Sequence, residues 1–379
     1  MRRPLVLVFL VVAIAILWRP FLRPLGAGAI LVADIYSSAL WDRNVAEYLT
    51  PLPLVTGTRE SFGGIEMRVT WWRPGWGDRH PALMVVNGAT ALGNDDPETT
   101  RLAEALARAG YLVMLPEFPF IREGTLEPRA AAIIDAAFAR LLLLPDSSGM
   151  PVGAFGFSVG GGMLLAAAGR YEAVARASYV GALGAYYDLD TYLASVVTRT
   201  QMLDGASAAW DPDPIVRLRL PLAAAAAVSD PRDRGLLEEE LRANDGRTAT
   251  DPPLGIGTEA GSLWRAFGTT DYDLALARLR ELPPALRQIF DDLSPRRNWA
   301  DIRAPVFWLH DVGDRFEPVS EGETAAATAH AGPTRFQRTA LLSHAAALGA
   351  GAKEKGLDFW APELGGLLVF AASALGAGG

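Results

Sequence analysis

Cysteine is absent from the 379 residues, which excludes disulfides, thiolate zinc sites, a cysteine nucleophile and lipoprotein acylation. It leaves the redox compartment open. Lysine occurs only at Lys353 and Lys355, and four histidines offer little for metal chemistry. The net charge of −8 provides no basic face of the kind that phosphate backbones need, so a nucleic-acid partner is not expected. There is no glycine-rich phosphate loop followed by Lys and no dinucleotide fingerprint, so neither a cofactor nor a metal is expected. No internal repeat and no long polar tail is visible. What remains is globular in balance: 50% of residues are hydrophobic and 21% charged. The length suits one large domain or two smaller ones.

The N-terminus carries a targeting pattern. Arg2 and Arg3 precede an apolar run from Leu5 to Trp18, and Arg19 and Arg23 follow it. A basic start and such a run form the first two parts of a secretory signal, with Ala27-Gly28-Ala29 as a small-residue cleavage site. Two arginines and two prolines between run and site argue for an uncleaved anchor over residues 1–30. Arg2 and Arg3 then stay in the cytoplasm and the rest is exported, with Arg19 and Arg23 opposing that orientation. Cleavage would release the protein instead. A buried helix is the third alternative.

Beyond a helix expected at Ala33 to Tyr48, strand and helix patterns alternate. Strands are expected at Glu66–Trp72, Ala82–Val86, Tyr111–Leu115, Val152–Phe155 and Ala177–Leu183. Helices are expected at Pro97–Ala109, Arg129–Leu144 and from Gly161. Such alternation implies an open, mostly parallel sheet covered on both faces. From 188 to 300 no convincing strand is present and the patterns are helical, as at Leu236–Leu241 and Leu274–Leu282. Strand signals return at Val306–Leu309 and Phe336–Leu342. The organisation expected is therefore a core of residues 31–187 and 301–379, with a helical cap, 188–300, over the carboxyl edge of the sheet. The apolar stretch Leu364–Leu375 reads as a closing helix packed on the sheet.

Gly156-Phe157-Ser158-Val159-Gly160 matches the nucleophile-elbow pattern and sits between a strand and an apolar helix. A sharp turn there strains the serine backbone and demands neighbours without side chains. A serine hydroxyl needs a base, and the base needs an orienting acid. His344, after the last strand, fits as base, with His310 its rival. Asp314, in the turn His310-Asp311-Val312-Gly313-Asp314, fits as acid, with Asp311 and Asp188 as competitors. An oxyanion needs two backbone N–H donors, expected from Val159 and from Ala89 in the turn Asn87-Gly88-Ala89-Thr90.

With these residues the chain resembles the α/β-hydrolase superfamily, most closely its dienelactone-hydrolase-like bacterial branch, from about Met67 to the C-terminus apart from the insertion. The segments that carry the likeness are Gly153 to Gly162 and Ala304 to Asp314. The resemblance implies an α/β-hydrolase fold with a helical cap and a serine esterase. Two positions depart from it: Asn87-Gly88 and His310-Asp311 stand where the family has His-Gly. A dienelactone hydrolase proper uses cysteine, so that specific activity is not implied. The activity expected is cleavage of an ester or thioester through an acyl-serine. Alternatives are acyl transfer by the same triad and a non-catalytic exported binding protein. Tyr186, Tyr187, Tyr192, Trp210, Trp264 and Phe267 in the insertion read as cap packing, with some lining an acyl pocket. The partners expected are a small or lipidic ester and the membrane, through the N-terminal segment.

Overall fold

The computed structural model describes residues 23–41, 45–344, 346, 348–349 and 352–377. The apolar run at Leu5–Trp18 lies outside the described residues.

The central sheet is built where sequence runs are apolar on both faces. Strands β3 (Ala82–Val86), β4 (Leu112–Pro116), β5 (Val152–Phe157), β6 (Val180–Leu183) and β9 (Val306–Asp311) are almost wholly buried. Continuous burial of that kind belongs to parallel strands covered by helices on both sides. β1 (Leu54–Phe62), β2 (Ile65–Arg73) and β10 (Thr334–Thr339) complete eight strands in the order β1-β2-β4-β3-β5-β6-β9-β10. β1 and β4 each pair antiparallel with β2, and all other pairs are parallel. The nine-residue edge strand β1 falls in a stretch without a clear sequence pattern, because most of its side chains are exposed and do not alternate.

Helices of the core are α1 (Arg23–Trp41), α2 (Pro97–Arg108), α3 (Pro119–Glu123), α4 (Ala130–Leu142), α5 (Ser158–Arg170) and α6 (Glu172–Ala175). The insertion supplies α7 (Leu189–Thr198), α8 (Pro214–Ala226), α9 (Pro231–Ala243), α10 (Thr258–Phe267), α11 (Tyr272–Arg280) and α12 (Pro284–Leu293). α13 (Val319–Ala327) and α14 (Leu357–Gly376) follow. Several starts are set locally. Asp96, Asp213 and Asp230 each accept backbone N–H groups ahead of a proline at the first helical position. α4 and α5 cover one face of the sheet, and α1, α2 and α14 cover the other.

Two expectations need correction. The insertion is not free of strands: β7 (Thr200–Leu203) and β8 (Ala206–Ala209) form a hairpin there, four residues each and too short to carry a pattern. The expected helix Ala33–Tyr48 is instead α1, which ends at Trp41, followed by a 3₁₀ turn at Val45–Tyr48. Ala27-Gly28-Ala29 therefore lies inside a helix. A Cβ on Gly28 would come within 2.9 Å of the Ala372 backbone, so the glycine lets α1 and α14 touch. α14 packs Phe370 against Phe307 of the sheet, with ring centroids 5.9 Å apart.

Candidate active site

Ser158 stands between β5 and α5, at the carboxyl end of a central strand, with φ +51°. For a residue with a side chain that backbone is strained, and it persists because its surroundings leave no alternative. The glycines around it are steric necessities. A Cβ on Gly156 would lie 2.6 Å from the Gly161 Cα. On Gly160 it would collide with the Asn87 carbonyl oxygen. The turn after β3 is thus pressed directly against the elbow. Asn87 holds that turn: its Oδ1 accepts from Gly88 N at 2.9 Å and from Thr99 Oγ1 at 2.9 Å, while its Nδ2 donates to Gly93 O at 2.9 Å. An asparagine thus tethers the turn at both ends.

Asp314 follows β9 and His344 follows β10, so the sheet order brings both to the same carboxyl edge. His344 Nδ1 meets Asp314 Oδ2 at 2.8 Å. In the neutral imidazole, with Nδ1 carrying the proton, Nε2 is left as the acceptor nitrogen. The imidazole stacks on Phe316, with centroids 4.7 Å apart and planes at 19°. Asp314 is buried and anchored by its other oxygen, which accepts Phe316 N at 2.7 Å and Glu317 N at 3.1 Å. Burial pushes its pKa up, but the histidine beside it and these N–H donors outweigh burial, so it lies below the usual carboxylate range. Gly184 has φ +51°, and a Cβ there would come within 2.8 Å of Asp314 Oδ2 and 2.9 Å of His344 Nδ1.

The competing residues have other partners. Asp311 accepts Gly313 N at 3.0 Å and the backbone N–H of His344 at 3.3 Å, so it shapes the loop and does not orient the ring. Asp188 caps α7 and pairs with Arg296 at 2.6 Å, within the base of the insertion. His310 is fully buried. It takes the Trp308 indole N–H on Nδ1 at 3.3 Å and directs Nε2 to the Glu317 carbonyl at 3.1 Å.

One residue escaped the sequence reading. Glu317 is buried beside the serine, and Ser158 Oγ donates to its Oε1 at 2.6 Å. Its Oε2 lies 3.4 Å from His344 Nδ1. Burial raises the Glu317 pKa to about 8, against the opposing pull of His344, so at neutral pH the group holds its proton. Burial lowers the His344 pKa, but the carboxylates of Asp314 and Glu317 prevail and raise it to about 9. These groups titrate together and not one by one. The signal in the sequence was faint: an acid between Phe316 and Pro318, three residues after Asp314.

The two expected oxyanion donors, Val159 and Ala89, both line the cavity that holds Ser158. Val159 opens the first turn of α5, where N–H groups have no partner within the helix. Among the described residues neither Val159 N nor Ala89 N donates a hydrogen bond. Gly88 brings the Ala89 turn against the serine: a Cβ on it would sit 3.1 Å from Ser158 Cβ. Asp314, Glu317 and His344 also present ligand-type atoms within 4.8 Å of one another. Their bonds to one another and to Ser158 already engage most of those atoms.

A cavity of about 340 Å³ runs from Ser158, Glu317 and His344 into the molecule. α8 of the insertion borders it through Val216 and Leu220. Of the six aromatic residues expected in the cap, only Tyr192 lines it. Tyr186, Trp210, Trp264 and Phe267 are buried in packing, and the Trp210 indole donates to the Asp314 carbonyl at 2.7 Å.

No family model and no curated protein sequence matches the chain. Solved structures do. It is similar to a 2,6-dihydroxy-pseudo-oxynicotine hydrolase over 93% of this chain and 82% of that one, with 15% identity and a TM-score of 0.52. It is also similar to a dienelactone hydrolase from Anabaena variabilis, over 86% of this chain and 97% of that one, with 13% identity and a TM-score of 0.43. At such identities the likeness is one of fold. With its strand order, its mostly parallel sheet and its helices on both faces, the chain has the α/β-hydrolase fold.

Proposed function

We propose that the chain is a serine hydrolase that cleaves a carboxylic ester or thioester through an acyl-serine. One observation carries this reading: a serine on a strained elbow shares a cavity with a histidine whose Nδ1 is fixed on a buried aspartate at 2.8 Å. Ser158 Oγ attacks the substrate carbonyl while Nε2 of the neutral form of His344 takes its proton. The negative charge that develops on the carbonyl oxygen falls to the N–H groups of Val159 and Ala89. His344 returns the proton to the leaving alcohol or thiol. Water then attacks the acyl-serine with the same histidine as base. Asp314 keeps the tautomer that leaves Nε2 open.

Glu317 is a positioning residue in this scheme. Its hydrogen bond parks the serine hydroxyl at rest, and the hydroxyl turns to His344 when substrate enters. The same 2.6 Å bond supports a second reading, in which Glu317, once ionised above its raised pKa of about 8, itself accepts the serine proton. Labelling by a serine-reactive probe separates the two: the first reading loses it in His344→Gln and keeps it in Glu317→Gln, and the second reverses that order.

The apolar run before α1 supports an uncleaved anchor with the active site exported. The proposed cleavage residues are folded into α1 against α14. Fractionation of cells, with N-terminal sequencing of the recovered protein, tests that placement. The activity is tested by intact-mass analysis after incubation with an activated ester. An adduct of acyl mass on Ser158, absent from Ser158→Ala, is the expected result. A folded protein that neither acylates nor turns over esters overturns the proposal.

A further inference from the structure

The cavity behind Ser158 is walled on its inner side by elements outside the cap. Its inner wall is formed by the sheet face and by the helix pair α1 and α14, with Leu31 and Ile35 from one and Leu367, Ala371 and Ala374 from the other. Apart from the hydroxyls of Tyr36 and Tyr179, the side chains along that stretch are hydrocarbon, whereas polar groups gather at the serine end.

The strands give the depth. Leu183 and Leu309 are register partners near the carboxyl edge, and Tyr179 lies at the start of β6 near the amino edge. Four residues of strand at ~3.3 Å each span about 13 Å. That is the reach of an extended chain of about ten carbons. The α14 residues are ordered along the same axis. Leu375 receives the Tyr111 hydroxyl at the amino edge at 2.6 Å, so Ala374 is deep, Ala371 a turn above it and Leu367 nearer the serine.

We infer that this cavity holds the acyl part of the substrate, a single unbranched chain of medium length that enters carbonyl-last, with its tail toward Tyr179. The inference rests on the proposed acyl-serine chemistry and names its substrate class. An apolar cavity of that depth favours chains up to its own length and penalises longer ones, because extra methylenes meet its inner wall. Side chains that enlarge into an existing void cost less stability than those forced into a packed core. The cavity can therefore be shortened in steps.

The experiment uses the full chain in detergent and p-nitrophenyl acetate, hexanoate, decanoate and hexadecanoate. For wild type, kcat/KM rises at least tenfold from acetate to decanoate and falls again at hexadecanoate. Ala374→Phe moves the optimum to a shorter chain, and Ala371→Phe, nearer the serine, moves it further. Val369→Phe, an exposed position on the same helix outside the cavity, keeps the wild-type profile. Each protein is first labelled with a fluorophosphonate at Ser158, which reports an intact site independently of chain preference. Labelled protein with a flat profile, or with a profile that neither alanine variant shifts, overturns the inference and leaves the hydrolase reading standing. A folded wild type that does not label overturns that reading, and the inference with it.

Discussion

Replacing Glu317 with Gln tests the electrostatics of the site. In the unfolded chain Glu317 titrates near 4.5, whereas in the folded protein burial holds it to about 8. Between those values the native state binds the more protons, so stability falls as pH rises. The shift sets a ceiling of about 5 kcal/mol on that loss, at ~1.4 kcal/mol per pH unit, and the coupling to His344 lowers it. Raised to about 9, His344 adds a fall of the same sign, since it too is stabilised in its protonated form. Glutamine has the shape of the protonated acid and cannot ionise. Glu317→Gln should therefore equal wild type at about pH 4 and exceed it by less than about 5 kcal/mol at about pH 9. Urea denaturation at fixed pH reads this directly. Parallel stability curves for the two proteins across that window would refute the argument that Glu317 is a buried, proton-holding acid.

Further outcomes follow from the same geometry. Asp314→Asn leaves the histidine ring without a partner that selects its tautomer and should lower kcat on the order of a thousandfold or more, read in an ester assay. Asp311→Asn meets only backbone N–H groups and should cost far less; equal losses would exchange the two roles. Chelation with EDTA should leave turnover unchanged, and a metal-restorable loss would assign Asp314, Glu317 and His344 to an ion instead.

The buried strands and the elbow were legible because each depends on local rules. Buried parallel strands read as unbroken apolar runs, and the elbow needs glycines whose absence would produce clashes within 3 Å. The choice of Asp314 over Asp311 was not legible, since both lie in one turn and only the final geometry shows which carboxylate meets the ring. β1 was hidden by its exposed, irregular face. Glu317 was hidden for a different reason. A buried acid is recognised by what surrounds it in space, and its partner Ser158 is 159 residues away in the chain. The cavity wall also escaped notice, because α1 and α14 meet only through contacts between opposite ends of the sequence.

The central claim is that Ser158 is an activated nucleophile, and labelling with a fluorophosphonate probe tests it most directly. Wild type should label and Ser158→Ala should not, with both shown to be folded by circular dichroism. Equal labelling of the two, or none of the folded wild type, would contradict the account.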